Sequence, residues 1–141
     1  MTRATRLMAA IILILVPTIE YGGVFLLKSL SNPASGYLAN PMREDLMRAG
    51  HAHAGVIILL SLIAQFLADG AVLPPWLLWS VRIAFPLAAV LMSAGFFLSV
   101  MGAPTATHPS SMISLVYAGG SLLALALLGL AVGLLRSLRA P

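Results

Sequence analysis

Two histidines, His51 and His53, stand in Arg48-Ala49-Gly50-His51-Ala52-His53-Ala54-Gly55, at the mouth of an apolar run that continues to Leu67. A neutral imidazole is a good ligand for haem iron, copper or zinc, and a bundle helix can aim one ring nitrogen at a site that facing helices complete. An ionisable side chain inside a membrane span marks a functional site by default. The two histidines are two positions apart, about 200° around an ideal helix, so regular geometry does not turn both onto one ion. The favoured division makes His53, the deeper one, the buried ligand. His51, nearer the headgroups, is then a second ligand, a substrate contact or a solvent-facing residue. In the competing reading both imidazoles simply bond to neighbouring backbone at the interface. Gly50, Ala52, Ala54 and Gly55 favour the ligand reading, because they leave room beside the rings for a flat macrocycle or a closely packed helix.

Glu20 is the second outlier, in Val16-Pro17-Thr18-Ile19-Glu20-Tyr21-Gly22-Gly23. A carboxyl in mid-span must be paired, protonated or in contact with water, and Pro17 beside paired glycines predicts a kink that opens space around it. Glu20 is read either as an acid-base group lining a pocket or as a neutral carboxyl hydrogen-bonded inside the bundle; Tyr21 shares that pocket or anchors a helix face. Arg43, Arg48 and Lys28 flank the histidines and can pair with haem propionates or with lipid phosphates. His108, in Thr105-Ala106-Thr107-His108-Pro109, is a loop residue that either stays solvated or approaches the second helix. Arg82 lies inside the third apolar segment, from which its long side chain can snorkel, with Asp69 close enough to be its partner. The seven methionines are scattered, which fits packing better than a relay for soft ions.

The elements that must position these residues follow from composition. Of 141 residues, 60% are hydrophobic and 9% charged, against roughly 25% charged in an ordinary soluble domain. This is the composition of an integral membrane protein. Cysteine is absent, which excludes disulfides, thiolate nucleophiles and Cys-ligated zinc or iron–sulfur centres. The net charge of +4 does not imply nucleic acid, because the basic residues sit at segment ends and form no patch. Spans of about 20 apolar residues are expected at 7–30, 49–68, 76–101 and 112–135, giving one all-α domain, an up-down four-helix bundle. The breaks fall at 31–36, at Asn40-Pro41, at Pro74-Pro75, and between Pro104 and Pro109. The first apolar run is too long for a signal peptide and lacks a small-residue cleavage site, so it is read as a helix of the mature protein. Arg3, Arg6, Arg82, Arg136 and Arg139 on one side, against Lys28, Arg43 and Arg48 on the other, predict cytoplasmic termini in the cell membrane. All three histidines then share the outer end.

A polar first connector ending in Arg48-Ala49, followed by Ala52-His53-Ala54-Gly55 at the start of the second helix, resembles the styrene oxide isomerases. Those are small four-helix membrane proteins that hold haem b through a histidine in an Arg-Ala-His-Ser-Gly context. Ala94-Gly95-Phe96-Phe97-Leu98-Ser99 and the Pro-containing loop after it are similar to that family's Val-Gly-Phe-Tyr-Leu segment. The resemblance implies haem b on His53, with His51 as the alternative ligand, a trimer, and Lewis-acid opening of an epoxide to a carbonyl compound. The substrate would be small, hydrophobic and delivered from membrane lipid. This chain departs from the pattern in three places. The family's polar residue two turns after the ligand meets the apolar 57–60 stretch, its pocket tyrosine corresponds to Phe97, and its aspartate has no counterpart in the apolar 84–91 stretch.

A fainter likeness, Arg48 before a His-rich helix start, is to the low-spin haem helix of haem–copper oxidases and nitric oxide reductases. It implies an electron carrier or an accessory subunit of a respiratory-type complex, and three histidines do not suffice for the copper site. A transporter with Glu20 as a proton site is a further reading. A bundle this small has little interior for a haem, so a homo-oligomer is expected, with Gly119, Gly120, Gly129 and Gly133 offering surfaces for close helix contact.

Overall fold

The computed structural model describes residues 1–102 and 105–139. Pro104, expected to break the third connector, lies outside the described residues. Four long helices make up the chain: α1 (Arg3–Ser31), α2 (Pro41–Ala68), α3 (Pro75–Leu98) and α4 (Ser114–Ser137). All are long and apolar enough to cross a membrane, and no strand occurs among the described residues. The protein is an all-α four-helix bundle of the multi-pass membrane class.

Local chemistry moves the helix ends beyond the apolar runs. α1 begins at Arg3 because the Thr2 hydroxyl accepts from the Thr5 amide. α2 begins at Pro41, well before the expected 49. Asn40 Oδ1 accepts from the Arg43 amide at 3.2 Å and Pro41 supplies the preset first helical residue. Asn40-Pro41 is therefore a helix start, and Met42-Arg43-Glu44-Asp45 form polar first turns that a hydropathy reading passes over. α3 ends at Leu98, short of the expected 101, and α4 runs from Ser114 to Ser137 after a 3-10 turn at Ser111–Ile113.

α2 and α3 form the centre. α1 packs on α2 and barely on α3, α4 packs on α3 and lightly on α2, and α1 and α4 do not touch among the described residues. Apolar packing forms three layers, around Phe85 and Leu130 at one end, around Ile12 and Ile57 in the middle, and around Tyr37, Met47 and Val100 at the other. The ends are called the Arg82 end and the histidine end below.

At the Arg82 end a polar cluster joins three helices. Arg82 is 3% exposed, so it does not snorkel as the sequence led us to expect. Its Nη2 donates to Asp69 Oδ1 at 2.7 Å, and its Nη1 donates to Thr5 Oγ1 and to the Gln65 carbonyl, each at 3.0 Å. Thr2 and Thr5 donate to the same Asp69 carboxylate. Pro86 lacks the N–H that would bond the Arg82 carbonyl in a regular helix. Gln65 Nε2 takes that carbonyl instead, at 3.0 Å. Desolvation raises the Asp69 pKa, but the bonds from Thr5, Thr2 and Arg82 outweigh it and hold the carboxyl well below its ordinary value.

Removing one partner of a buried ion pair strands the other, at a cost of about 3–5 kcal/mol. Arg82→Ala should therefore lower the thermal midpoint in detergent far more than Arg136→Ala. The folded Asp69 titrates below the ordinary carboxyl value of 3.8, so its stabilisation is complete above that pH and is lost as pH falls below it. Asp69→Asn should abolish that acid-dependent loss in melting curves taken between neutral pH and the acid limit.

Candidate functional site

A cavity of about 510 Å³ opens at the histidine end between α1 and α3, with α2 as its floor. The floor residues Arg43, Met47, His51 and Ala54 fall at intervals of four, four and three, one face of a helix. Thr18, Gly22 and Phe25 form the α1 wall, and Ser93, Ala94 and Phe97 form the α3 wall. Tyr21 stands at the opening, 74% exposed. A second cavity of about 190 Å³ shares Thr18, Ile19, Ala54 and Ser93 with the first and extends the slot towards Leu15, Ile58 and Ala89. The combined space is within the range of sites for small ligands, about 300–1,000 Å³.

The slot exists because α1 and α3 hardly meet while both lie on α2. His51 props α1 at this end. A Cβ at Gly23 would lie 3.2 Å from its Cε1 and 3.3 Å from its Nε2, and one at Gly22 would lie 3.6 Å from Nδ1. The imidazole thus fills the space that a side chain at Gly23 would need, beside Gly22. Gly50 has the matching role towards α3, where a Cβ would lie 2.9 Å from the Phe97 ring.

His53 is turned to the other side of α2. Its Nδ1 lies 2.7 Å from the Ala49 carbonyl and its ring centroid lies 5.0 Å from that of Phe96. A carbonyl accepts, so Nδ1 is the donor, and no hydrogen-bond partner for Nε2 occurs among the described residues. The expected contrast of a buried His53 and an outlying His51 is corrected: both are half-buried, and it is His51 that faces the cavity.

The cavity thus brings together three of the residues singled out from sequence, namely His51, Arg43 and Tyr21. It does not include Glu20, which is exposed; two positions from Thr18 is about 200° around α1, and that turns the carboxyl away. The expectations of Glu20 in a pocket, or bonded inside the bundle, are both corrected for the single chain. Arg48 is also outside: its Nη1 pairs with Glu44 Oε1 at 3.2 Å on the surface. His108 is exposed and lines none of the cavities described above.

Two cavity residues carry buried polar atoms without a hydrogen-bond partner, Arg43 Nε and Ser93 Oγ. Sequence reasoning missed Ser93. Its only signal was a hydroxyl in an otherwise apolar helix, and such a hydroxyl ordinarily bonds back to the preceding turn, as Ser61 does to the Ile57 carbonyl. Nor do three His, Asp or Glu side chains come together to hold a bare metal ion among the described residues.

Comparison of the chain with protein-family models, curated proteins and solved structures yields no match.

The contact between His51 and Gly23 is testable as a pair. Gly23→Ala forces the imidazole aside and should destabilise by about 1 kcal/mol or more. In a His51→Ala background the added methyl meets no ring, so the double variant should be more stable than the sum of the single losses predicts, by a coupling of at least about 0.5 kcal/mol. Thermal melts of the four proteins in one detergent give the cycle.

Proposed function

We propose that the protein binds haem b through His53 and uses it on a small hydrophobic molecule taken from the bilayer. The observation that carries this reading is the bond between His53 Nδ1 and the Ala49 carbonyl, which orients the ring and leaves Nε2 unpartnered among the described residues. Histidine ligands are characteristically held in this way by their second nitrogen. His51 is the alternative ligand; it faces the cavity and sits beside Gly22 and Gly23 of α1. A haem brings four of its own ligands and needs one from the chain, which agrees with the lack of a three-residue metal cluster among the described residues. Haem held by His53 would supply the Lewis acid that the resemblance to styrene oxide isomerases implies for epoxide opening.

The chain's own residues set the surroundings. Phe96 flanks the ligand ring. His51 rests against Gly22 and Gly23, so two residues further along antiparallel α2 brings His53 level with Glu20 and Tyr21 on α1. The half-buried His53 and the exposed Glu20 thus lie at one level of the bundle on different helices. This supports a homo-oligomer, a trimer by resemblance, in which Glu20 of one protomer approaches the haem side of its neighbour as an acid-base group. Gly119, Gly129 and Gly133 do not serve that contact, since each packs inside the bundle, against Met92, Val81 and Leu73 respectively. In this reading the termini are cytoplasmic, by the distribution of arginines.

Protein purified in detergent should show a b-type pyridine haemochrome and a high-spin ferric spectrum, because His51 and His53 cannot both reach one iron in a chain. His53→Ala should lose the haem, whereas His51→Ala should keep it. Glu20→Gln should retain haem while lowering turnover of an aryl epoxide. Full haem content in the His53 variant would overturn the assignment, and two strong-field ligands in the wild-type spectrum would move it to an electron carrier.

A further inference from the structure

The slot between α1 and α3 does not include the His53 ring, and its chemistry is not that of a haem pocket. We infer that it is a binding site for a single-chain anionic amphiphile, a long-chain carboxylate with an oxygen substituent along the chain.

Arg43 defines the head. Its guanidinium makes no ion pair or hydrogen bond with any described residue, and its Nε is buried at the cavity wall. The other arginine of the same turns, Arg48, is neutralised by Glu44, so Arg43 is the unspent cation at this end of α2. A guanidinium offers only donors, so its complement is an acceptor, and in an apolar site the best acceptor is an anionic oxygen group.

The slot defines the tail. From Arg43 to Ile58 the floor is about 22 Å long at the helical rise, and it runs from the polar first turns of α2 into the apolar span. Met47, Ala54, Phe25 and Phe97 offer only apolar contact along it. The two cavities together offer about 510 and 190 Å³, room for one alkyl chain between the helices.

Ser93 defines the substituent. It lies where the two cavities join, level with Ala54, about 16 Å along the floor from Arg43. Its buried Oγ has no partner, and buried polar groups in native structures are otherwise almost always bonded. A hydroxyl or oxo oxygen on the chain would satisfy it, while a plain alkyl chain leaves it stranded. The pair of unpartnered atoms thus calls for a ligand with an anion at one end and an acceptor part-way along.

The test uses the full chain, as purified, in phosphatidylcholine nanodiscs, with 10-hydroxystearate, stearate and methyl stearate as probes in equilibrium binding. Hydroxystearate should bind more tightly than stearate, and the uncharged ester weakest. Arg43→Gln should weaken both acids by about tenfold or more and leave the ester unchanged. Ser93→Ala should cancel the preference for hydroxystearate, roughly threefold to tenfold, and leave stearate as it was. Equal binding of ester and acid by the wild type would overturn the proposal without any variant having to fold. So would displacement of hydroxystearate by phosphatidylglycerol at equal concentration, which would assign the slot to bilayer lipid. His53→Ala should bind the acids as the wild type does, so failure of the haem reading and failure of this one are separate results.

Discussion

Arg82 is the side chain on which the arrangement of the first three helices depends. A guanidinium inside an apolar bundle is tolerated only when its charge is matched and its donors are taken. Here the matching groups come from two other helices, Thr5 of α1 and both Gln65 and Asp69 at the end of α2. Satisfying one cation therefore fixes three helix ends relative to one another. Pro86 adds a second demand, for it leaves the Arg82 carbonyl without its helical donor, and the Gln65 amide answers both by accepting from the guanidinium and donating to the carbonyl. Without α1, this cluster would lack Thr2 and Thr5, the two hydroxyls that complete the Asp69 carboxylate.

Fixing one end allows the other to open. α1 is the least buried of the four helices, with only 6% of the residues in its most apolar stretch buried. Close to its N-terminus it is held by hydrogen bonds, and near its other end by the seating of His51 on Gly22 and Gly23. Between these points α3 does not close against it, and the cavity is the space that results. Small residues decide where helices touch: Gly50 admits the Phe97 ring, while Gly95 and Gly119 bring α4 onto α3, so α3 is committed to α2 and α4 and not to α1.

Much of this was legible in the sequence, because hydrophobic runs report spans directly. The four helices and the pairing of Asp69 with Arg82 follow from apolar length and proximity. The spacing of His51 and His53 correctly required different faces. It did not say which face meets α1, since α1 is chosen as a neighbour by contacts far away, at Thr5 and Arg82. Glu20 was misjudged for the same reason: a carboxyl in mid-span signals a need for a partner, but only the packing of α1 shows that its own chain supplies none in the described structure. The polar first turns of α2 were hidden because capping by Asn40, and not hydropathy, sets their boundary.

Division of labour on α2 is the consequence that ties the two sites together. One face carries Arg43, Met47, His51 and Ala54 towards α1, and the other carries His53 towards Phe96. A helix turns by about 100° per residue, so the Ala52 spacer alone separates an imidazole that packs from one whose nitrogen stays free. Adding a single residue between them would bring the second imidazole to about 300°, that is within 60° of the first, and merge the faces. The His-Ala-His spacing therefore keeps the imidazole that seats on α1 and the imidazole that packs on Phe96 from competing for the same space.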